Sequence, residues 1–379
     1  TAFMGRKAMN FISSRGGGNF IGGSSFALLI DGTYIPWTQS SRVLAAFPVE
    51  NIQSIQVVRD SSIFSLAPLT GLGSIGTAIQ GVVIIKTVKP TKQETQLKGS
   101  YGNLGRYKAF ASHGDKLEQG YYNLSYVHQN DDGRDGWNNA SESDTFLGKA
   151  GYDHQGLKAQ GIFYYNGGSR EIQRGLAISK TYDNKWEYDP LNTLMATGNL
   201  AKQWSPSQNT SLGVYTGQVD TTVRYRSWTK STYTYNDQKD NVLQADLHHI
   251  ITTEKNNLRV GGQAIFWDCP DGQLYYEGVE RKEELYSAYL HDEYALTKDL
   301  SLDLGGRVDN KHVSNGINKY MSSDNTPTVL IKDEWAEPSY GVGAGAAYRF
   351  SPIWEGSLRV SFTEQGADSF LVTKDNQAL

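Results

Sequence analysis

The chain has 379 residues, a formal net charge of −4, one cysteine and 38% hydrophobic residues. A charge so close to zero argues against nucleic acid as the main partner. The single cysteine, Cys269, excludes an internal disulfide framework. The longest apolar runs, such as 26–30 and 82–85, are far shorter than the roughly 18 residues of a membrane-spanning helix. Length alone would allow about two or three soluble domains.

Residues 1–93 are predicted to form a small mixed α/β unit. They are rich in glycine, and three short apolar segments among them have the composition of buried strands. The three segments are 26–30, 52–58 and 82–87. Residues 40–47 have a short helical pattern that Pro48 ends. Because the pattern then changes, we expect one domain over 1–93 and a second over 94–379.

In the second domain, apolar and polar residues alternate with period two in one segment after another. In the segment 300–309, Leu302 and Leu304 are expected on one face, and Arg307 and Asp309 on the other. Such alternation places one face on an apolar medium and the other on a polar one. About thirteen strands are predicted: 94–102, 105–113, 121–130, 143–153, 157–166, 195–204, 210–219, 241–252, 258–268, 282–296, 300–310, 336–350 and 357–365.

The connections between these strands alternate in length, which is the layout of an outer-membrane barrel. The predicted long loops are 131–142, 167–194, 220–240, 269–281 and 311–335. Aromatic residues on the apolar face suit the belts that such barrels place at the membrane interface. These aromatic residues are Tyr126, Tyr152, Phe163, Tyr165, Tyr294, Tyr348 and Phe350.

Enzyme-like patterns are weak in this sequence. Residues 71–76 satisfy G-x-G-x-x-G but lead into a strand, whereas the dinucleotide motif leads into a helix. His291 and Glu293 could share a strand face, but no third metal ligand accompanies them. The acidic stretch 131–135 lacks the spacing of a calcium loop. No enzymatic activity, cofactor or protein-held metal is therefore expected.

Six stretches resemble motifs of one family, in the same order along the chain. They are 12–16 (Ile-Ser-Ser-Arg-Gly), 28–32 (Leu-Leu-Ile-Asp-Gly), 49–59, 76–87, 288–294 and 302–309. The family is that of the TonB-dependent outer-membrane receptors of the ferric siderophore type. The first four stretches are similar to its plug domain, and the last two to its mid-barrel signature.

The resemblance implies a membrane all-β fold. It would be a partial antiparallel transmembrane β-barrel, with about 13 of an expected 22 strands, and a small α/β plug domain at the N-terminus. The chain is then expected to be a fragment that lacks the N-terminal part of the plug and the C-terminal part of the barrel. An open sheet should result, with 94–102 and 357–365 as unpaired edges and 1–93 against its polar face.

The resemblance also implies a function, which is TonB-dependent active transport of a ferric siderophore or similar metal chelate. The expected location is the outer membrane of a Gram-negative bacterium. The implied partners are the TonB energy-coupling protein (whose contact box this sequence lacks), the chelate and outer-membrane lipid. The alternatives are uptake of cobalamin, another metal complex or a glycan, and, from another class, a soluble all-β carbohydrate-binding protein.

Ligand capture is expected at the plug apex and the long outer loops. Guanidinium and aromatic side chains suit an anionic, partly aromatic chelate. The plug candidates, by resemblance to the family's apical loops, are Asn19, Phe20, Tyr34, Trp37 and Gln39. The candidates in the outer loops are Arg170, Arg174, Trp186, Tyr225, Arg226, Trp228 and Tyr275.

The resemblance generates one test of the plug apex. Trp37→Ala should weaken chelate binding by about 1–3 kcal/mol, as loss of a central aromatic anchor does. Titration of the full-length receptor with ferric chelate, followed by fluorescence quenching, measures this change. Unchanged affinity would remove Trp37 from the site.

Overall fold

The computed structural model describes residues 26–72, 81–173, 184–271, 280–318, 329–331 and 333–364. Within these ranges the chain forms a 4-stranded sheet and a 15-stranded sheet. None of the described helices is long and apolar enough to cross a membrane.

The small sheet belongs to the N-terminal unit, which we call the plug. Its strands are β1 (Phe26–Ile30), β2 (Thr33–Ile35), β3 (Ile52–Val58) and β4 (Gly81–Thr87). They lie in the order β2-β1-β4-β3, with β1 parallel to β4. Helix α1 (Trp37–Ala46) follows β2, and short 3-10 helices cover Val49–Asn51 and Ser61–Ser65. Burial of β1 on both faces is the rule for strands in the centre of such a sheet.

One plug segment differs from the sequence prediction. Residues 34–39 were expected as a loop, but they form β2 and the start of α1. Asp31 and Gly32 have φ values of 48° and 86°, which is the backbone of a two-residue hairpin turn. An Asp-Gly pair between apolar residues favours that turn, so the chain reverses at once and pairs β2 with β1.

The large sheet contains thirteen strands in one antiparallel path, as predicted. They are β5 (Glu94–Tyr101), β6 (Tyr107–Lys116), β7 (Gly120–Asp131), β8 (Ser141–His154), β9 (Leu157–Ile172), β10 (Asn184–Ser205), β11 (Gln208–Ser227), β12 (Thr234–Thr252), β13 (Asn256–Cys269), β14 (Arg281–Ala295), β15 (Leu300–Asn318), β18 (Ser339–Ser351) and β19 (Trp354–Glu364). The short strands β16 (Val329–Ile331) and β17 (Glu334–Trp335) pair with β15. Among the described residues no ladder joins β5 to β19, so these two strands are the edges of an open sheet, as expected.

The two faces of this sheet differ as the alternation predicts. On β15, Leu304 and Val308 are about half exposed on the outer face, whereas Arg307 and Asp309 are buried on the inner face. All seven predicted belt aromatics lie among the exposed large hydrophobic residues. The sheet therefore has an apolar exterior and a polar interior, as transmembrane barrels do.

On two strands the exterior tyrosines have the same spacing. Tyr286 and Tyr294 lie eight positions apart on β14, and Tyr340 and Tyr348 lie eight apart on β18. At about 3.3 Å per residue and a tilt of about 40°, eight residues span roughly 20 Å of membrane normal. This height is close to the apolar band of about 25 Å that outer-membrane barrels present to lipid.

The strands near the long loops extend further than predicted. Residues 167–194, 220–240 and 311–335 were expected to be loops, but large parts of them are strand. In particular, β9 and β10 reach Ile172 and Asn184, and β11 and β12 continue to a turn of six residues, 228–233. Here the outer face carries charged residues in place of apolar ones, so the apolar alternation on which the prediction depended ends before the strands do.

The plug is fixed to the inner face by buried polar contacts. The Lys149 ammonium on β8 lies 2.9 Å from the Asp31 carboxylate and donates to the Thr87 hydroxyl at 2.8 Å. Both charged side chains are less than one-tenth exposed. Asp31 also accepts the Thr87 backbone N–H at 2.9 Å. The pair thus joins the β1–β2 turn and the end of β4 to the wall.

A second set of contacts lies on β13 and β15. Arg307 donates to Asp309 at 2.6 Å, to the Gln263 side chain at 2.7 Å and to the Phe64 carbonyl at 3.3 Å. Asp309 in turn accepts the backbone N–H of Leu69 at 2.6 Å. This network secures the plug segment that follows β3.

A third contact lies close to the β5 edge, where Lys108 is 2.7 Å from Glu50. Burial alone would raise the pKa of Glu50, but the hydrogen bond from Lys108, a backbone hydrogen bond and the nearby lysine charges together lower that pKa. Glu50 is therefore ionised at neutral pH and pairs with the lysine.

Lys149→Met should weaken the attachment of the plug to the wall. Loss of the ammonium leaves the Asp31 carboxylate buried without its cation, which costs about 3–5 kcal/mol. Lys158→Met is the matched control, because Lys158 and Asp153 are more than half exposed and 3.7 Å apart, and such a pair contributes about 0–1 kcal/mol. Urea unfolding in detergent micelles measures both changes. Equal losses of unfolding free energy would show that the buried pair does not hold the plug.

Candidate ligand-facing surface above the plug

The inner face of β9, β10 and β11 continues beyond the apolar band. We call this part the upper wall. Its residues are Arg170, Ile172, Trp186, Tyr188, Val223 and Tyr225. Cross-strand pairing sets this arrangement, since Trp186 is opposite Ile172 and Tyr225, and Tyr188 is opposite Arg170 and Val223.

The upper wall has its own apolar core. Ile172, Tyr188 and Val223 are buried, together with Leu191 below them. The rings of Trp186 and Tyr225 stack with centroids 4.6 Å apart and planes inclined by 19°. A rigid aromatic pair of this kind offers a large contact area at low entropic cost.

Helix α1 brings one cation of the plug to the upper wall. The Arg42 guanidinium lies 5.0 Å from the centre of the Tyr188 ring, within cation–π range. The helix is held in place lower down, where Gln39 donates to the Asp240 carbonyl at 3.2 Å and accepts from the Tyr215 hydroxyl. Val43 is fully buried on the same helix.

Positive charge accumulates on this surface. Burial and the nearby Arg42 guanidinium lower the pKa of Arg170, although Tyr188 opposes them, and an arginine remains charged at neutral pH even so. The nearby carboxylates lie on the opposite face of the strands, where Glu171 pairs with Lys185 at 3.1 Å and Glu187 with Arg224 at 3.4 Å. The six upper-wall residues include no acid, so an anion at this surface would be attracted to the Arg170 guanidinium.

The structure brings three of the predicted site residues together, namely Arg170, Trp186 and Tyr225. Tyr34 and Gln39 are placed elsewhere, buried between the plug and the wall. Tyr34 lines a small enclosed space with Val242, Ile265 and Leu285.

Arg226 and Trp228 lie at the β11–β12 hairpin. Arg226 is on the strand face opposite Tyr225. Its guanidinium lies 5.0 Å from the Tyr233 ring centre and donates to the Lys230 carbonyl at 2.7 Å. These contacts stabilise the hairpin, so in this conformation the guanidinium is directed into the turn.

The remaining predicted residues lie outside the described residues. They are Asn19, Phe20, Arg174 and Tyr275. Trp37 begins α1, but its side chain is likewise outside what the structure describes.

Two residues of this region were missed in the sequence. Arg42 is one of only two charged residues between 26 and 49, the other being Asp31. A single cation in a predicted plug helix could have been recognised in the sequence as a candidate site residue. Asn138 is buried and donates to the backbone carbonyls of Ile172 at 2.9 Å and Trp186 at 2.8 Å. Asn138 therefore joins the end of β9 to the start of β10, and no sequence pattern points to it.

Among the described residues no group of three His, Cys, Asp or Glu side chains is arranged to hold a metal ion. The upper wall instead places the stacked Trp186–Tyr225 pair and Arg170 on one face of the sheet.

Comparison with solved structures identifies the fold. The chain is similar to the ferric yersiniabactin uptake receptor FyuA from Yersinia pestis, at 14% identity and a TM-score of 0.69, over 94% of this chain and 58% of that one. It is also similar to the ferric-catecholate import receptor Fiu from E. coli K12, at 12% identity and a TM-score of 0.65, over 89% of this chain and 62% of that one. The chain has the plug-and-barrel fold of TonB-dependent outer-membrane receptors.

A copper transporter, OprC, has the same receptor fold, with 12% identity, a TM-score of 0.69 and coverage of 93% of this chain and 58% of that one. The chain thus spans about three-fifths of the length of these receptors. No model of a known protein family and no curated protein sequence matches it. The receptor fold and the apolar exterior agree on a barrel wall in an outer membrane.

Proposed function

We propose that the protein takes up a ferric siderophore or a similar anionic metal chelate across the outer membrane, as a TonB-dependent receptor. The observation that carries this proposal is the upper wall, where Arg170 and the stacked Trp186–Tyr225 pair lie close to Arg42 of the plug. A ligand there would contact both the wall and the plug, so its binding would be linked to the plug's position.

The chemistry of the upper wall favours a chelate over a bare metal ion. A divalent cation such as copper needs imidazole, thiolate or carboxylate ligands, and the six upper-wall residues provide none. Two guanidinium groups would instead repel a free cation. They suit an anionic complex whose organic part stacks on aromatic rings. A neutral glycan could use the rings but would bring no negative charge to the Arg170 guanidinium.

In this proposal the cargo's iron never contacts protein ligands. Arginine side chains neutralise the negative charge of the complex, and the rings exclude water from one side of it. Energy transmitted through TonB would then have to break the buried plug contacts at Lys149 and Arg307 before a path opens along the polar inner face.

Arg170→Gln in the full-length receptor tests the proposal. A negatively charged ferric triscatecholate should bind about ten- to a hundredfold more weakly, because a charged hydrogen-bonding partner is lost. Arg224→Gln is the matched control, since Arg224 lies between the upper-wall residues Val223 and Tyr225 in sequence but on the outer face, paired with Glu187 and Asp189. Quenching of tryptophan fluorescence by the ferric complex gives the affinities.

A second probe makes the outcome decisive. Ferrioxamine B, which is positively charged, should bind weakly to both the parent protein and the variant. Equal binding of the two probes, or equal effects of Arg170→Gln and Arg224→Gln, would contradict an anionic chelate as cargo. Uptake of radioactive iron that persists without TonB would contradict the transport mode.

A further inference from the structure

The outer face of the large sheet is interrupted by an apolar groove. It crosses β8, β9, β10 and β11 in the half of the sheet nearest the short turns and has a volume of about 490 Å³. In outer-membrane barrels the short turns face the periplasm, so the groove lies at the level of the periplasmic leaflet.

The floor of the groove is a row of residues without long side chains. Ala150 pairs with Gly161, and Gly161 pairs with Gly198 on its other side. Val214, opposite Gly198, closes one end of the row. In the next row towards the short turns, Ala159 continues the small-residue floor between Tyr152 and Leu200, and Leu212 lies beside Leu200. Tyr152, Leu200 and Leu212 are each about two-fifths to one-half exposed and border the groove on this side.

The fold does not require a glycine at the centre of this floor. The backbone of Gly161 is not in the left-handed region, and a Cβ there would have one neighbouring atom within 4 Å, the Thr197 carbonyl oxygen at 3.6 Å. A larger residue could therefore be accommodated. The groove exists because the outer face lacks side chains at positions where β propensity and the surrounding band favour large ones.

We propose that this groove binds one acyl chain of an anionic phospholipid. The groove has room for part of one acyl chain along its floor of small residues. The groove is also continuous with the apolar band that faces lipid, so a chain can enter it from the bilayer without crossing water.

A cation stands where the phosphate of such a lipid would lie. Lys202 follows Leu200 by two positions on the same face of β10, towards the short turns. Its ammonium donates to the Gln155 carbonyl at 3.3 Å, which leaves two of its three N–H groups for a phosphate. His154 follows Tyr152 on β8 in the same way, with ring centres 6.2 Å apart.

The relative contributions of apolar burial, packing and charge determine which lipid the groove would select. Bulk lipid is as apolar as the groove, so burial of the chain contributes little by itself. Retention would come from close packing along the floor and from the attraction between Lys202 and the headgroup charge. The site should therefore select an anionic headgroup over a zwitterionic one.

Native mass spectrometry tests this on the full-length receptor extracted from outer membranes in mild detergent. The parent protein should retain one phosphatidylglycerol molecule, and Gly161→Leu, which fills the floor, should lose it. Gly306→Leu is the matched control, because Gly306 also faces lipid and has open space around it, with its nearest atoms at 3.8 and 3.9 Å, but lies outside the groove. It should retain the lipid.

A second variant covers the case in which Gly161→Leu does not fold. Lys202→Gln changes an exposed side chain and should reduce phosphatidylglycerol retention about fivefold while leaving phosphatidylcholine retention unchanged. Equal lipid retention in all four proteins, or retention of lipopolysaccharide in place of phospholipid, would overturn the proposal. It rests on the membrane location alone, so failure of chelate binding would not affect it.

Discussion

Buried polar groups on the inner face of the large sheet need partners, and the plug supplies many of them. The inner face of a wide barrel wall carries polar residues as well as apolar ones, and the plug covers part of both kinds. Lys149 and Arg307 find their acceptors partly in plug residues such as Asp31 and Phe64. Each buried charge that loses its partner is costly, so these few contacts determine where the plug can rest.

The same constraint connects the plug to the upper wall. Above the apolar band both strand faces meet water, and charged residues occur on both. Glu187 and Arg224 form an ion pair on the outer face, whereas Arg42 and Arg170 lie on the inner side. Because Arg42 belongs to a helix that Gln39 also fixes to the wall, a ligand at the upper wall would act on the element that anchors the plug. In the proposed function, binding and plug release would be linked through one helix rather than through a long pathway.

Much of the fold could be predicted because alternation on a strand is a local signal. Leu302 and Asp303 reveal their faces without knowledge of any partner strand. The extended tops of β9 to β12 could not be found in this way. Pro190 interrupts the pattern, and in the structure it lies in a register shift between Tyr188 and Leu191 of the β10–β11 ladder, the kind of irregularity where proline is tolerated in a sheet. Trp186 and Tyr225 of the upper wall come from separate strands, and their aromatic side chains made them candidates from the sequence. Arg42 reaches the upper wall only through the packing of the plug helix, so the sequence did not suggest it.

The central claim is that one face of the sheet meets lipid and the other meets the plug and water. Spin labels placed one at a time along β15, from residue 302 to residue 309, test it directly in lipid bilayers. Relaxation by oxygen, which concentrates in lipid, should be strong at 302, 304, 306 and 308 and weak at 303, 305, 307 and 309. A profile without this period of two, or relaxation by a water-soluble nickel chelate at the even positions, would contradict the account.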